Sequence, residues 1–328
     1  MIKFNQPVLK ADLPQDYPHG GGLEAAAKAW GCNLDEVLDL STGLHPDGAP
    51  IWLGEWLKEH ASLIAHYPDV HGEPARSALA EALNVSPDNV LICAGAQAVI
   101  EVVFQAMSWN SVAIRVPCYN EPIRCAKRAG CEVAAFEMGD AMPKADAYWL
   151  TSPSNPFGDE MVMPQRDSVV LDESYMPFVQ RRLLGLIKNT IRIGSLTKNF
   201  CIPGLRLGYV IAERETIQAL DHWLPPWPCS TLALHLLPEL IKEADQRDAL
   251  IETARKRMVL LLEQHGWQVR PSQASFILAR PHTVMPDFDR YRILVRQFPE
   301  WPQLSGWVRF GMPGRESEWQ QLEEALCQ

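Results

Sequence analysis

The sequence predicts an α/β protein with a large domain built on a mostly parallel sheet and a smaller α+β domain. Its 328 residues exceed the usual size of one domain. Short β-branched runs alternate with helical stretches through the middle of the chain, which is typical of a parallel sheet joined by helices. Beyond about residue 222, long helical stretches precede short strands. We therefore assign 49–222 to the large domain and 223–328 to the small domain, with 1–48 packing against the small domain.

The predicted elements of the large domain are short apolar runs, which we assign as strands, and longer helical stretches between them. The predicted strands are Val90–Cys93, Ser111–Val116, Glu132–Phe136, Tyr148–Thr151, Ser168–Leu171, Ile191–Ser195 and Leu207–Ile211. Helices are predicted at Gln97–Met107 and Glu121–Ala129. Strands separated by helices in this way are typical of parallel pairing, which needs a crossover connection.

The predicted small domain begins with two long helices, at about 230–244 and 247–265. Short strands follow near 275–279, 293–295 and 307–310. An amphipathic helix at about 315–326 ends the chain. Helices and strands that are segregated along the sequence indicate an α+β arrangement.

The composition indicates a globular protein whose partner is a small molecule. Apolar residues make up 47% of the chain and charged residues 21%, so the chain can bury a large core. The net charge of -10 argues against nucleic acid or an anionic membrane as the main partner. The apolar runs are far shorter than the roughly 20 residues of a membrane span, and the N-terminus has no secretory pattern, so we expect a cytoplasmic protein. Eight cysteines without a C-x-x-C pair predict free thiols and no metal site.

The most informative segment surrounds Lys198, which directly follows a predicted strand. A lysine in this position can form a Schiff base with the carbonyl of a cofactor. Ser195 and Thr197 offer hydroxyl groups, and Arg206 offers a guanidinium, which together suit a phosphate dianion. Taken alone, this segment also fits an ordinary surface lysine after a strand.

Two residues upstream add to this pattern. Asp172 ends a predicted strand, where a carboxylate could pair with the protonated ring nitrogen of pyridoxal phosphate and make the ring a better electron sink. Asn155 precedes a proline at another strand end and could donate to the phenolate oxygen of the same cofactor. Each has an ordinary alternative, since Asp172 could be a strand-end cap and Asn155 part of a turn.

The ordered set Asn155, Asp172, Tyr175, Lys198 and Arg206 resembles the fold-type I pyridoxal-phosphate enzymes of the class I/II aminotransferase superfamily. Within that superfamily the chain is similar, over nearly its whole length, to the branch of histidinol-phosphate aminotransferases and threonine-phosphate decarboxylases. The resemblance implies the fold-type I architecture, pyridoxal 5'-phosphate as the cofactor, and Lys198 and Asp172 as catalytic residues.

The resemblance also assigns contacts with the cofactor. Gly95, Ala96 and Gln97 match the turn whose backbone N–H groups hold the cofactor phosphate at a helix N-terminus. Tyr119 matches the aromatic residue that stacks on the pyridine ring, and we include it among the catalytic residues. Tyr67 matches a tyrosine that reaches the cofactor phosphate of the neighbouring subunit, which implies a homodimer with shared active sites.

Other matches concern the substrate. Arg309 matches the arginine that grips the substrate carboxylate, and Asn155 is expected beside it. His19 and Gly20 resemble the HGG opening of the decarboxylases, where both face the substrate phosphate; a flexible turn is the alternative. Arg296, which precedes Arg309 by thirteen residues, would supply a second guanidinium. Two arginines suit a substrate that carries both a carboxylate and a phosphate.

The substrate-facing segments also depart from the decarboxylase pattern. Gly43 and His45 replace asparagines that usually follow the segment at Asp39, and Ser275 replaces an asparagine before a late aromatic residue. The stretch between residues 158 and 169 looks too short for the helix expected there. The cofactor set is therefore whole, whereas the substrate set is altered.

The favoured functional interpretation, taken from the resemblance, is decarboxylation of L-threonine O-3-phosphate to (R)-1-aminopropan-2-yl phosphate in cobalamin biosynthesis. The alternative is an aminotransferase that acts on histidinol phosphate or a related phosphorylated amine. The same residues support both reactions, because the outcome depends on which bond at the α-carbon is held perpendicular to the cofactor ring. A non-catalytic descendant is a third possibility, against which the intact Lys198, Asp172 and Arg206 argue.

Overall fold

The computed structural model describes residues 19–164 and 166–327. The α-helices are α1 (Leu23–Trp30), α2 (Leu53–Glu59), α3 (Ala75–Ala82), α4 (Ala96–Met107), α5 (Glu121–Arg128), α6 (Phe178–Leu184), α7 (Arg214–Trp223), α8 (Thr231–Ile241), α9 (Ala244–Gln264) and α10 (Glu316–Leu326). The strands are β1 (Leu38–Asp39), β2 (Val90–Cys93), β3 (Ser111–Arg115), β4 (Glu132–Phe136), β5 (Ala147–Thr151), β6 (Val169–Asp172), β7 (Thr190–Ser195), β8 (Gly208–Ile211), β9 (Trp267–Val269), β10 (Ile277–Pro281), β11 (Ile293–Leu294), β12 (Arg296–Gln297) and β13 (Val308–Phe310).

The large central sheet has the strand order β2-β8-β7-β6-β5-β3-β4. Strands β3 to β7 pair in parallel, and β8 is antiparallel to both of its neighbours, β2 and β7. The predicted α/β class with a mostly parallel sheet is therefore confirmed. Because β2, β5, β6 and β7 run in one direction, their carboxyl ends meet at one edge of the sheet, which is where ligands bind in such folds.

Two apolar layers cover the faces of this sheet. In β2, Leu91 and Cys93 pack on the face covered by α4, whereas Val90 and Ile92 pack on the face covered by α3 and α8. Burial of both faces explains why strands such as β2 and β8 are continuous apolar runs rather than alternating patterns. The sheet is thus held rigidly, so residues that follow its strands have fixed positions.

The C-terminal part has a smaller antiparallel sheet with the order β12-β13-β10-β9. Its apolar cluster includes Trp267, Phe310 and Trp319. Strand β1 pairs in parallel with β11, and Leu38 and Leu40 belong to the same cluster. Residues before the large sheet thereby contact the C-terminal part, and the domain boundaries at 48 and 222 stay a prediction.

Some elements differ from the sequence prediction. Helix α7 and strand β9 were not predicted, and the strand expected near 275–279 begins at Ile277. The described residues between Gly158 and Val169 contain no helix, as the short spacing indicated. Among the helices of the described residues, none combines the length and apolar character that crossing a membrane requires.

Candidate active site

The carboxyl ends of β5, β6 and β7 and the first turn of α4 surround a cavity of about 260 Å³. Most of the predicted site residues line it: His19, Gly20, Ala96, Gln97, Tyr119, Asn155, Asp172, Tyr175, Ser195, Thr197, Lys198, Arg206, Arg296 and Arg309. Gly95 and Tyr67 lie outside this lining. The fold therefore brings most of the predicted residues, from both sheets, to one cavity.

Lys198 follows β7 and reaches the floor of the cavity. Its Nζ donates to the main-chain oxygen of Thr42 at 3.2 Å and lies 5.5 Å from the centre of the Tyr175 ring. The Tyr175 hydroxyl donates to the same oxygen at 3.2 Å. Burial raises the pKa of Tyr175, but the charges of Lys198 and Arg309 outweigh this and lower it overall. An amine and a phenol of lowered pKa therefore lie side by side.

Asp172 ends β6 and is 4% exposed. Its carboxylate accepts from the backbone N–H of Ser174 at 3.0 Å. Burial raises the pKa of Asp172, while the hydrogen bonds from Ser174 oppose that effect. A buried carboxylate on a cavity wall is stabilised by a cationic N–H group, which is what the protonated ring nitrogen of the expected cofactor would offer. The residue thus fits that cofactor.

A cradle for an anion lies where α4 begins. Gly95 has φ +78, and a Cβ built on it would lie 2.6 Å from Arg206 Nη2, so only glycine allows the guanidinium to approach so closely. Ser195 Oγ and Thr197 Oγ1 are 2.6 Å apart on the same side of the cavity. The helix N-terminus, the guanidinium and the two hydroxyls together match the needs of the cofactor phosphate.

Tyr119 and Gln97 form one wall of the cavity. The Tyr119 hydroxyl donates to Gln97 Oε1 at 3.1 Å. Burial, helped by the charges of Glu121 and Asp172, raises the pKa of Tyr119 far above its usual range, so the phenol stays protonated. Its ring is thus available for stacking rather than as a base.

Arg309 joins the two sheets at the cavity. It lies on β13, is 5% exposed, and donates from Nη1 to Asn155 Oδ1 at 2.6 Å. Its Nη2 donates to the main-chain oxygen of Ser41. These acceptors are neutral, so the charge of the guanidinium is left for an anion such as a carboxylate.

The other predicted substrate residues carry carboxylate partners that the sequence analysis missed. His19 Nε2 lies 3.0 Å from Glu121 Oε1, and Arg296 Nη2 pairs with Glu300 Oε1. The side chains of Glu121 and Glu300 are 5% and 4% exposed. Each acid has an arginine three or four residues away, a spacing that is usually found on solvated helix faces. Only the fold reveals that both are buried.

The glycine pair after His19 packs tightly against Ser41. A Cβ on Gly20 would lie 2.5 Å from the Ser41 main-chain oxygen, and the N–H of Gly21 donates to Ser41 Oγ at 2.8 Å. Close packing therefore contributes to the need for glycine at position 20. The N–H of Gly21 already has a hydrogen-bond partner in Ser41.

The residues that depart from the decarboxylase pattern have structural partners. Gly43 has φ +64 and lies against Tyr175, and its main-chain oxygen accepts from Ser275 Oγ at 2.7 Å. His45 is 2% exposed, with Nε2 3.0 Å from the main-chain oxygen of Arg247. Burial lowers the pKa of His45 to about 4, so the imidazole is neutral near pH 7.

Tyr67 lies on the surface, outside the cavity. It is 80% exposed, and its ring centre is 4.7 Å from that of Trp227. Its expected contact is with the cofactor of a neighbouring copy of the chain, and that role stays a prediction.

Comparisons with known proteins identify the family to which this chain belongs. A model of the family described as aminotransferase class I and II matches residues 35–326. A threonine-phosphate decarboxylase of Pseudomonas aeruginosa is 29% identical over 94% of this chain and 96% of its own length. A histidinol-phosphate aminotransferase of Thermococcus gammatolerans is 27% identical over 65% of this chain and 69% of its own.

Solved structures share the fold. The crystal structure of L-threonine-O-3-phosphate decarboxylase from Porphyromonas gingivalis matches with a TM-score of 0.76 and 24% identity, over 88% of this chain and 98% of that one. Histidinol-phosphate aminotransferase from Sinorhizobium meliloti, in complex with pyridoxal-5'-phosphate, matches with a TM-score of 0.80 and 19% identity, over 94% of each chain. At these identities the structural matches establish the fold alone.

Proposed function

The chain belongs to the class I and II aminotransferase family and uses pyridoxal 5'-phosphate, and from this premise we propose that it decarboxylates L-threonine O-3-phosphate. The product is (R)-1-aminopropan-2-yl phosphate, a precursor in cobalamin biosynthesis. The observation that carries the proposal is the pair of arginines, Arg309 and Arg296, that line one cavity with Lys198. A substrate with a carboxylate and a phosphate matches two guanidinium groups.

Different residues around the cavity would bind different parts of the cofactor. Arg206, Ser195, Thr197 and the N-terminal end of α4 would hold the phosphate, and the Asp172 carboxylate would accept from the ring nitrogen. Lys198 Nζ would anchor the cofactor covalently. When bound, the cofactor supplies a sink for the electron pair that is left at the substrate α-carbon.

Arg309 and Asn155 would orient the substrate carboxylate. Arg309 binds the substrate carboxylate, and its hydrogen bond to Asn155 Oδ1 fixes the guanidinium. A carboxylate that Arg309 orients for cleavage would leave as carbon dioxide, and its bonding electron pair would stay at the α-carbon. Lys198 Nζ would supply the proton that the α-carbon then takes up. We propose that Arg309 holds the carboxylate in the orientation that favours its loss over loss of the α-hydrogen, and the products formed from threonine phosphate test this orientation.

We also propose that the active enzyme is a homodimer with shared sites. Ile64, Tyr67 and Trp227 are large apolar residues with exposed fractions of 74%, 80% and 44%. Residues of this kind are often buried in subunit interfaces. Sedimentation of the holoenzyme checks this; a monomer with full activity would contradict it.

The test of the activity is incubation of the holoenzyme with threonine phosphate, with carbon dioxide and keto-acid formation followed separately. Release of carbon dioxide without keto acid supports the decarboxylase. Keto acid without carbon dioxide would replace the proposal with an aminotransferase, for which the 27% identical histidinol-phosphate aminotransferase is the precedent. Neither product from threonine phosphate would refute the proposed substrate.

A further inference from the structure

One buried carboxylate connects the substrate end of the cavity to the cofactor end. Glu121 is the first residue of α5, and it lies behind the residues that line the cavity. Its Oε1 faces His19 Nε2 at 3.0 Å. Its Oε2 accepts from Gln97 Nε2 at 3.0 Å and from Arg124 Nε at 2.7 Å. Three parts of the chain are therefore tied to a single side chain.

We propose that Glu121 is a positioning residue that holds His19 in the orientation in which it binds the substrate phosphate; this inference rests on the proposed function. Half of the His19 side chain, 47%, is exposed. An exposed side chain without an anchor samples several rotamers, and fixing it on the substrate costs conformational entropy. The 3.0 Å contact between Nε2 and Glu121 Oε1 fixes the ring before the substrate arrives, which is the general basis of preorganised binding.

The surroundings of Glu121 favour this role over a purely structural one. Burying a carboxylate is costly unless donors compensate, and here donors come from His19, Gln97 and Arg124. Gln97 and Arg124 are also bound by Glu101, since Gln97 Nε2 and Arg124 Nη2 donate to Glu101 Oε1 at 3.0 and 2.6 Å. The loss of Glu121 would thus leave Gln97 and Arg124 with the Glu101 carboxylate, whereas His19 would lose the carboxylate that it contacts.

The hydrogen bonds of Gln97 and Glu101 limit the effect that a change at Glu121 has on the cofactor. Tyr119 donates to Gln97 Oε1, and its ring centre lies 5.6 Å from that of His19. Because Glu101 still holds the Gln97 amide, Tyr119 keeps its partner when Glu121 is changed. We therefore expect a change at Glu121 to weaken phosphate binding and to leave the cofactor absorbance spectrum unchanged.

The test measures equilibrium binding, so it does not depend on turnover. Calorimetry gives the dissociation constants of the proposed product, (R)-1-aminopropan-2-yl phosphate, and of 1-aminopropan-2-ol, which lacks the phosphate. For Glu121→Gln we expect the phosphorylated amine to bind about tenfold more weakly, because a charge-assisted contact is lost, and the plain amine to bind as before. The matched control is Glu101→Gln, which removes a carboxylate from Gln97 and Arg124 but not from His19. It should leave both dissociation constants within about twofold.

A double-mutant cycle shows whether Glu121 acts through His19. His19→Ala should weaken the binding of the phosphorylated amine. Adding Glu121→Gln to that variant should weaken this binding no further. Independent, additive losses would overturn the proposal, as would equal losses for Glu101→Gln and Glu121→Gln. If Glu121→Gln fails to fold, Glu121→Asp keeps the charge for Arg124 but is one carbon too short for His19, and it should show the same selective loss.

Failure of this inference is distinguishable from failure of the proposed function. Wild-type enzyme that releases no carbon dioxide from threonine phosphate refutes the function, while the binding cycle still reports on Glu121. Wild-type enzyme that does release it, with a Glu121→Gln variant that binds the phosphorylated amine normally, refutes the inference alone.

Discussion

Arg296 and Arg309 lie directly opposite each other on the antiparallel strands β12 and β13. Like charges in this position destabilise a sheet unless something compensates for them. Glu300 pairs with Arg296, and neutral oxygens accept from Arg309. Because both arginines line the cavity, we expect an anionic substrate to supply the remaining compensation. This arrangement leads to the first prediction.

Replacing Arg296 with alanine should weaken the binding of threonine phosphate by roughly tenfold or more, since a charge-assisted contact with the phosphate is lost. The binding of plain threonine, which lacks the phosphate, should change little in the same variant. Steady-state kinetics of wild type and Arg296→Ala with both substrates give the coupling directly. Equal losses for the two substrates would mean that Arg296 is structural or binds the carboxylate instead.

Gly95→Ala should reduce cofactor affinity by about tenfold or more, because a displaced guanidinium loses a charge-assisted contact with the phosphate. The added Cβ would lie 2.6 Å from Arg206 Nη2, at a φ of +78 that side chains rarely adopt. Cofactor titration of the apoprotein measures the effect. Gly204→Ala is the matched control, because a Cβ there has no atom within 4 Å. Unchanged affinity in Gly95→Ala would rule out the cradle.

Asp172→Asn should have opposite effects on the apoprotein and on the reaction. Burial raises the pKa of Asp172 above its unfolded value, so ionisation lowers the stability of the apoprotein as the pH rises above that unfolded value. At pH 7 the wild-type apoprotein bears the cost of a buried, ionised Asp172, so the uncharged asparagine should raise the melting temperature there. In acid Asp172 is protonated, and the difference in melting temperature should become smaller.

The same variant should lower turnover far more than cofactor occupancy. Its asparagine cannot stabilise a protonated ring nitrogen, whereas Arg206 and the N-terminal end of α4 still hold the phosphate. Calorimetric melting and single-turnover assays check the two halves. Full turnover in Asp172→Asn would contradict the role assigned to the carboxylate.

Arg192→Leu should destabilise the fold by about 3–5 kcal/mol, because it leaves the Glu173 carboxylate buried and unpaired. Arg192 donates to Glu173 at 2.9 and 3.1 Å, both side chains are 0% exposed, and Tyr209 donates to the same carboxylate at 2.6 Å. Denaturant unfolding measures the change. Arg257→Ala, which breaks an exposed pair with Glu316, should cost less than about 1 kcal/mol. Similar losses in the two variants would contradict the account.

The sequence was most informative about the central sheet. Strands such as β2 and β8 are buried on both faces, so they are continuous apolar runs that stand out in the sequence. Helix α7 was missed because it buries only Ile217 and Leu220 among its largely polar residues. Strand β9 has three residues, which is too short for a recognisable period.

The cofactor side of the site could be predicted because its residues follow strands whose order and direction are recognisable. The substrate side could not, because it depends on long-range contacts. The register that places Arg296 opposite Arg309 joins strands from different parts of the chain. The burial of Glu121 and Glu300 is a property of the tertiary fold, since their arginine neighbours make them look like surface pairs.

The most direct measurement of the central claim uses threonine phosphate labelled in its carboxyl group. Holoenzyme should release one labelled carbon dioxide for each molecule of substrate consumed, and (R)-1-aminopropan-2-yl phosphate should accumulate in equal amount. Lys198→Ala should lose this activity by orders of magnitude, because the cofactor anchor and the proton carrier are both removed. Substrate consumed with the label retained in a keto acid would contradict the account.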